Sequence, residues 1–140
     1  MTLVTENGWP QCSRSDCDNM LVPGTNNVRP ELLANDVTTI LVAWAAWFDR
    51  NVRNIEPPDG HRNWWAWSAT NDVWNSNHLS ATALDLCADE LPWQQLTMPQ
   101  YQVDIVNRGV ALFEGTVFWG RNWSRVDEMH FQIGLPPSSP

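Results

Sequence analysis

The chain has 140 residues, enough for one domain with its own hydrophobic core and too few for two full domains. Its formal net charge of -8, from 8 basic and 16 acidic side chains, disfavours a protein that binds nucleic-acid phosphates or an anionic membrane. It contains no run of about 18 apolar residues, so we expect no membrane insertion. We expect a single domain over residues 1–140, a monomer without a nucleic-acid partner.

The N-terminal part, residues 1–35, is predicted to be rich in loops because turn-forming pairs such as Asn7-Gly8 recur along it. It lacks the basic and then apolar pattern of a secretory signal, so we expect synthesis in a cytoplasm. Cys12 and Cys17 are close enough in sequence for a small disulfide, and free thiols are the equal alternative.

Apolar residues at helical spacing predict a first helix over residues 36–51, with Asn35 or Asp36 as its N-cap. Residues 61–77 then mix tryptophan with asparagine, serine and aspartate without clean periodicity. This pattern predicts a long loop of the kind that is often functional in a compact domain. Its tryptophans, residues 64, 65 and 67, either anchor the loop to the core or stack on a ligand.

A second helix is predicted over residues 98–113, where Thr97 followed by Gln100 resembles a capping box. Short strands are predicted over residues 81–87, 117–119 and 129–133, with a loop over residues 120–127 between the last two. The tail, residues 135–140, is predicted to be disordered.

Two histidines are accompanied by carboxylates, which suggests a metal site. His78 lies in the loop before the strand that carries Asp85, and His130 begins the last strand. A zinc bound by these three residues leaves a fourth position for a water, whose pKa falls toward about 7 on a catalytic zinc. Asp127 or Glu128 would accept the proton of that water, and spacing alone leaves both open.

The same residues carry a family resemblance. Residues 76–85 read Ser-Asn-His-Leu-Ser-Ala-Thr-Ala-Leu-Asp. They resemble the Ser-x-His-x-x-Gly-x-Ala-x-Asp signature of the zinc D-alanyl-D-alanine carboxypeptidases, the vancomycin-resistance dipeptidases and the phage L-alanyl-D-glutamate endopeptidases. Residues 127–131, Asp-Glu-Met-His-Phe, resemble the closing Asp/Glu-x-x-His of these enzymes, and the similar layout covers roughly residues 36–133.

One residue departs from the signature. Ala81 stands where the family usually has glycine. If that position requires a positive φ, alanine costs on the order of 1 kcal/mol there. We interpret the change as tolerated variation, with an inactive relative as the alternative.

The resemblance implies roles for individual residues. Zinc would be bound by His78, Asp85 and His130, and Asp127 rather than Glu128 would be the catalytic base. The implied fold is a single α+β domain of the DD-peptidase and hedgehog type, with helices packed on a small antiparallel sheet that holds one zinc site.

Two further residues are implied to face the substrate. Ser76 matches a family serine near the substrate, and Arg62 resembles an upstream arginine that faces the substrate carbonyl or carboxylate. Arg62 would be a fixed cation where an oxyanion develops, and the alternative is a surface arginine bonded to a nearby aspartate.

These inferences predict a zinc metallopeptidase that hydrolyses a peptide bond in the stem peptide of bacterial peptidoglycan. A phage endolysin that cuts L-alanyl-D-glutamate is the favoured form, made in the host cytoplasm without a signal peptide and acting on the wall after release. A separate domain or protein would supply wall binding. The alternatives are a D-alanyl-D-alanine carboxypeptidase and a non-catalytic wall-binding module with a structural zinc, for which His61 could supply a fourth ligand.

Overall fold

The computed structural model describes residues 3–137. The two helices in this range are α1 (Asp36–Asn51) and α2 (Gln100–Leu112). The strands are β1 (Cys17–Asp18), β2 (Leu32–Leu33), β3 (Trp64–Trp65), β4 (Ala83–Leu86), β5 (Val117–Trp119) and β6 (His130–Ile133). Short 3-10 helices cover Arg14–Asp16, Asn77–Ser80 and Gly120–Asn122. The predicted α+β class, with helices on a small antiparallel sheet, is confirmed.

The main sheet has four antiparallel strands in the order β3-β4-β6-β5. Strands β4 and β6 are neighbours although α2 and β5 separate them in sequence. Their register places Asp85 directly opposite His130, and β3 places Trp65 opposite Asp85 on the other side. Directly opposed residues point to the same face of a sheet, so this register brings the two signature segments together.

Helix α1 forms the centre of the core. Its predicted cap is confirmed, since the Asn35 side chain accepts a hydrogen bond from the Val37 amide at 2.8 Å. On its buried face, Trp44 and Phe48 contact Phe131 of β6, with ring centroids 5.0 and 5.4 Å apart. Aromatic packing of this kind fixes the strand that carries His130 against the helix.

Helix α2 starts without the predicted capping box. Its N-cap is Pro99, and no side chain caps it. The amide and hydroxyl of Thr97 instead donate to the Glu128 carboxylate at 2.7 and 3.2 Å, because that buried acid needs hydrogen-bond donors. The capping-box prediction was therefore wrong.

The predicted loop over residues 61–77 contains β3, which extends the main sheet. In the N-terminal part, β1 and β2 form a second, two-stranded sheet that loop signals did not predict. Cys12 and Cys17 are free thiols here. Of the tail, residues 138–140 lie outside the described residues, and the Leu135 carbonyl accepts a hydrogen bond from the Trp9 indole at 2.8 Å.

Within residues 3–137, neither helix combines the length and the apolar character needed to cross a bilayer.

Candidate metal centre

His78, Asp85 and His130 converge on one point. Each offers one ligand atom, and these atoms all lie within 4.8 Å of one another. Asp85 and His130 are opposed across β4 and β6, while His78 comes from the Asn77–Ser80 3-10 helix just before β4. His78 and His130 are 7% and 5% exposed, so water reaches the site only from the cleft side. The predicted ligand set is thus brought together, and its role in metal binding stays a prediction.

Hydrogen bonds on the outer side of each imidazole orient the rings. His78 Nδ1 donates to the Ala66 carbonyl at 2.6 Å, and His130 Nε2 donates to Gln132 Oε1 at 2.9 Å. With those nitrogens protonated, the lone pairs of neutral His78 and His130 lie on Nε2 and Nδ1, the atoms that face Asp85. Partners of this kind on the second ring nitrogen are typical of histidines that bind metals.

The chemistry of the three inner atoms fits a cation. Asp85 Oδ1 lies 3.2 Å from both His78 Nε2 and His130 Nδ1, yet it has no hydrogen bond of ordinary geometry to either. Three lone-pair atoms that face one another inside a protein repel unless a cation or a proton lies between them. Two imidazoles, one carboxylate and an open side are the donor set of a catalytic zinc site.

The pKa shifts of Asp85 and His78 also indicate a site that favours positive charge. Burial alone would raise the pKa of Asp85, but the neighbouring His78 and then His130 outweigh it and hold that pKa well below its usual range. Burial likewise disfavours charged His78, and the Asp85 carboxylate outweighs it and raises the pKa of His78. The site therefore stabilises positive charge beside Asp85.

Asp127 lies on the cleft wall next to this group, with Oδ2 at 3.9 Å from His130 Nδ1. Its Oδ1 has no hydrogen-bond partner among residues 3–137. Burial, and then the negative charge of Asp85, raise the pKa of Asp127 to about 6. A carboxyl group that exchanges its proton near neutral pH is suited to general acid–base catalysis.

Glu128, the other base that spacing left open, is directed elsewhere. It is fully buried, and its carboxylate accepts hydrogen bonds from Thr97 and Met98 and contacts Arg121 at 3.2 Å. These partners occupy both oxygens, so Glu128 acts as a structural acid that joins the β6 segment to the start of α2.

A cleft with two lobes runs past the ligand atoms. The larger lobe has a volume of about 450 Å³, and its walls include Trp93, Trp123 and Arg125. The smaller lobe, about 260 Å³, is lined by Trp65 and Trp67. All three candidate ligands and Asp127 line the larger lobe, and the smaller lobe shares Asn71, His78 and Asp85 with it.

Ser76 and Ala81 bound the 3-10 helix that carries His78. Ser76 lines the larger lobe, and its hydroxyl accepts a hydrogen bond from the His78 amide at 3.2 Å. Its contact with substrate stays a prediction. Ala81 has φ 57° and ψ 32°, the left-handed conformation for which the family's glycine is suited.

Two predicted residues lie outside the walls of both lobes. Arg62 donates to the Trp64 carbonyl at 2.8 Å and to the buried Glu31 carboxylate at 3.1 Å, and its guanidinium stacks on Trp65. Arg62 is thus paired, as in the alternative, but with the buried Glu31 in place of an aspartate, and its role at an oxyanion stays a prediction. His61 contacts Asp59 and Asp89 on the surface, not the candidate ligands.

Sequence reasoning missed the residues that support the site from a distance. Gln132 Oε1 accepts from His130 and also from Asn77 at 2.7 Å, and both amides donate to Glu6 at 3.0 and 3.2 Å. Period-two alternation from His130 to Gln132 was the available signal for Gln132. No local pattern indicates Glu6, which is distant in sequence.

Fold and site thus define an α+β domain with a candidate metal centre of two histidines and one aspartate beside a second acid. A family model described as D-alanyl-D-alanine carboxypeptidase matches residues 68–133, a range that holds all four of these residues. No curated protein and no solved structure matches the chain at a significant level. The family match supports a peptidase that acts on peptidoglycan, with zinc implied by the family, and it does not distinguish a phage endolysin from a carboxypeptidase.

Proposed function

We propose that this chain is a zinc-dependent endopeptidase that hydrolyses the L-alanyl-D-glutamate bond in the stem peptide of bacterial peptidoglycan, as a phage endolysin does. The observation that carries the proposal is the convergence of His78, Asp85 and His130 beside Asp127 in the larger lobe of an open cleft. The family match supports the peptidase class and the substrate.

The chain's own residues supply most of the chemistry. When bound, zinc supplies a Lewis acid and lowers the pKa of a water at the site. Asp127 accepts a proton from the attacking water and passes it to the leaving amine, because it lines the same lobe as the candidate ligands and its Oδ2 lies 3.9 Å from His130 Nδ1. The Trp123 ring packs on His130, with centroids 4.8 Å apart, and shields this side of the site from bulk water.

The two lobes favour an endopeptidase over a carboxypeptidase. A carboxypeptidase needs one closed side that holds the substrate's terminus, whereas an endopeptidase needs room for the peptide on both sides of the scissile bond. Here the larger lobe holds the candidate ligands and Asp127, and we propose that the smaller lobe, which shares His78 and Asp85 with it, receives the peptide on the other side of the scissile bond. The D-alanyl-D-alanine carboxypeptidase remains the second candidate because the matching family model carries that description.

The cellular setting belongs to the same proposal. An endolysin is made in the host cytoplasm and reaches the wall after release. The net charge of -8 gives this domain little electrostatic attraction to an anionic wall, so we propose that a separate wall-binding domain or protein directs it there.

The test combines zinc content with digestion of purified peptidoglycan and analysis of the new termini. Native chain and Asp127→Asn should both contain zinc, and only the native chain should release L-alanine C-termini and D-glutamate N-termini. Asp104→Asn, an exposed acid on α2, is the matched control and should cleave like the native chain. Release of free D-alanine instead would support the carboxypeptidase, and zinc without cleavage would support a binding module.

A further inference from the structure

The larger lobe of the cleft is acidic apart from one residue. Its walls include four carboxylates, those of Glu6, Asp72, Asp85 and Asp127. Among the described residues that line it, Arg125 is the only arginine or lysine. A substrate group with a negative charge would be repelled from this lobe unless it contacted Arg125.

Arg125 is free to bind such a group. Four other arginines contact carboxylates, namely Arg14, Arg53, Arg62 and Arg121. Arg125, by contrast, has no ion pair and no side-chain hydrogen bond to any residue within 3–137, although the lobe around it is rich in acids.

Arg125 is exposed and packs against one aromatic side chain. Its guanidinium lies over the Trp93 ring, 4.8 Å from the centroid. The loop that carries Trp93 and the loop that carries Arg125 are joined by a hydrogen bond from the Gln94 amide to the Val126 carbonyl at 2.7 Å. Gln94 adopts φ 66° next to this hydrogen bond, a conformation uncommon for a residue other than glycine. Stacking occupies the face of the guanidinium and leaves its N–H edge available for a two-pronged contact with a carboxylate.

We infer that Arg125, held on Trp93, binds a carboxylate of the substrate close to the scissile bond and makes that carboxylate a requirement for efficient cleavage. This inference rests on the proposed function for the identity of the substrate. Two carboxylates of the stem peptide have the required chemistry. One is the α-carboxylate of D-glutamate, which follows L-alanine through its γ-linkage, and the other is the terminal carboxylate of D-alanyl-D-alanine.

The experiment compares matched peptides on the zinc-loaded full chain. One pair contains L-alanyl-γ-D-glutamate with its α-carboxylate either free or amidated, and a second pair ends in D-alanyl-D-alanine with a free or amidated terminus. The native chain should cleave one free acid at least about 10-fold faster in kcat/KM than its amide. Arg125→Gln should lower kcat/KM for that acid by about 10-fold or more and leave the amide nearly unchanged, which removes the preference.

If the preference for the free acid depends on Arg125 in only one of the two peptide pairs, that pair contains the carboxylate that Arg125 binds. Arg108→Gln, an exposed arginine on α2, is the matched control and should keep the native preference. Equal cleavage of acid and amide by the native chain would overturn the inference, and so would an equal loss on both peptides in Arg125→Gln.

A binding measurement separates this inference from the proposed function. Calorimetry with Asp127→Asn and the same four peptides should show tighter binding of one acid than of its amide, and adding Arg125→Gln should abolish the difference. Without cleavage by the native chain the proposed function fails, while an acid preference that depends on Arg125 in this titration would still support the inference. Equal affinities for acid and amide would overturn it.

Discussion

Ala81 ends the 3-10 helix that carries His78, and it does so with a left-handed backbone that alanine adopts at a cost of about 1 to 2 kcal/mol. Its amide donates to the His78 carbonyl at 3.2 Å, so the conformation is part of the loop that presents the histidine. The sequence indicated this residue because it replaces the family's glycine, and the structure gives the physical reason for that glycine.

We therefore expect Ala81→Gly to leave the free energy of unfolding within about 0.5 kcal/mol of native, because relief of strain offsets the added freedom of the unfolded chain and the lost methyl contacts. Ala83→Gly is the matched control, since Ala83 is equally buried but lies in β4 without a positive φ. It should be less stable than Ala81→Gly by about 1 to 2 kcal/mol in urea denaturation. Equal losses in the two variants would show that Ala81 carries no strain.

Gln132 orients His130 by accepting a hydrogen bond from its Nε2–H, which leaves Nδ1 to face Asp85. Gln132→Met keeps the volume but removes this acceptor, so we expect zinc affinity to fall by about 10- to 100-fold in competition with a chromophoric chelator. Gln132→Glu should restore much of the affinity because a carboxylate accepts the same hydrogen bond. Gln100→Met, on the exposed side of α2, is the control, and a zinc affinity in Gln132→Met equal to that of the control would contradict the assigned role.

At the scale of elements, the loop between β5 and β6 packs closely against the backbone of Gly120. A Cβ on Gly120 would lie 2.6 Å from the Asp127 carbonyl oxygen and 3.2 Å from the His130 Cβ. The Gly120 carbonyl accepts a hydrogen bond from the Asp127 amide at 3.0 Å, so the backbone there cannot withdraw without breaking that contact. The loop thus depends on glycine to set Asp127 beside His130.

Gly120→Ala should reduce the free energy of unfolding by about 1 to 3 kcal/mol, because the added methyl group clashes with backbone rather than with a movable side chain. Gly134→Ala places the same methyl group against Phe118, whose ring is 46% exposed and free to rotate away. It should therefore cost less than Gly120→Ala in thermal or urea denaturation. The opposite order would mean that the loop tolerates displacement of Asp127.

At the scale of the whole molecule, the N-terminal segment around Asn7 contacts several parts of the fold. This segment lies outside the range that the family model matches. The Asn7 side chain donates to Thr82 Oγ1 and to the Ile133 carbonyl, both at 2.9 Å, and its backbone amide donates to Asn77 at 2.9 Å. The segment thereby joins the His78 loop, the start of β4 and the end of β6. The site is consequently a property of the full domain and not of the matched range alone.

Asn7→Ala should lower the free energy of unfolding by about 1 to 3 kcal/mol, since buried hydrogen-bond partners lose their donor. Tryptophan fluorescence during urea denaturation would measure the loss. Asn19→Ala, an exposed asparagine in the same N-terminal part, should change stability by less than about 0.5 kcal/mol. A loss in Asn7→Ala no larger than in Asn19→Ala would show that the segment is not a structural part of the domain.

By itself the sequence determined the elements whose signals are local. Helix α1 was predicted with its observed bounds and with Asn35 as one of two possible caps, and β5 with its observed bounds, because apolar periodicity and capping depend on neighbouring residues. The candidate ligands His78, Asp85 and His130 were predicted from spacing and from the family signature, which fixes residue types at set intervals.

Tertiary structure decided what depends on partners distant in sequence. Thr97 was predicted to cap α2, but the buried Glu128 takes its donors, because an unpaired buried carboxylate costs more than an uncapped helix end. Spacing left Asp127 and Glu128 open and the family resemblance favoured Asp127, which is the acid that lines the cleft, while Glu128 is buried. The place of Arg125 in the cleft wall and the hydrogen bond from Gln132 to Glu6 depend on segments that are distant in sequence. The spacing of residues along the chain therefore could not predict either contact.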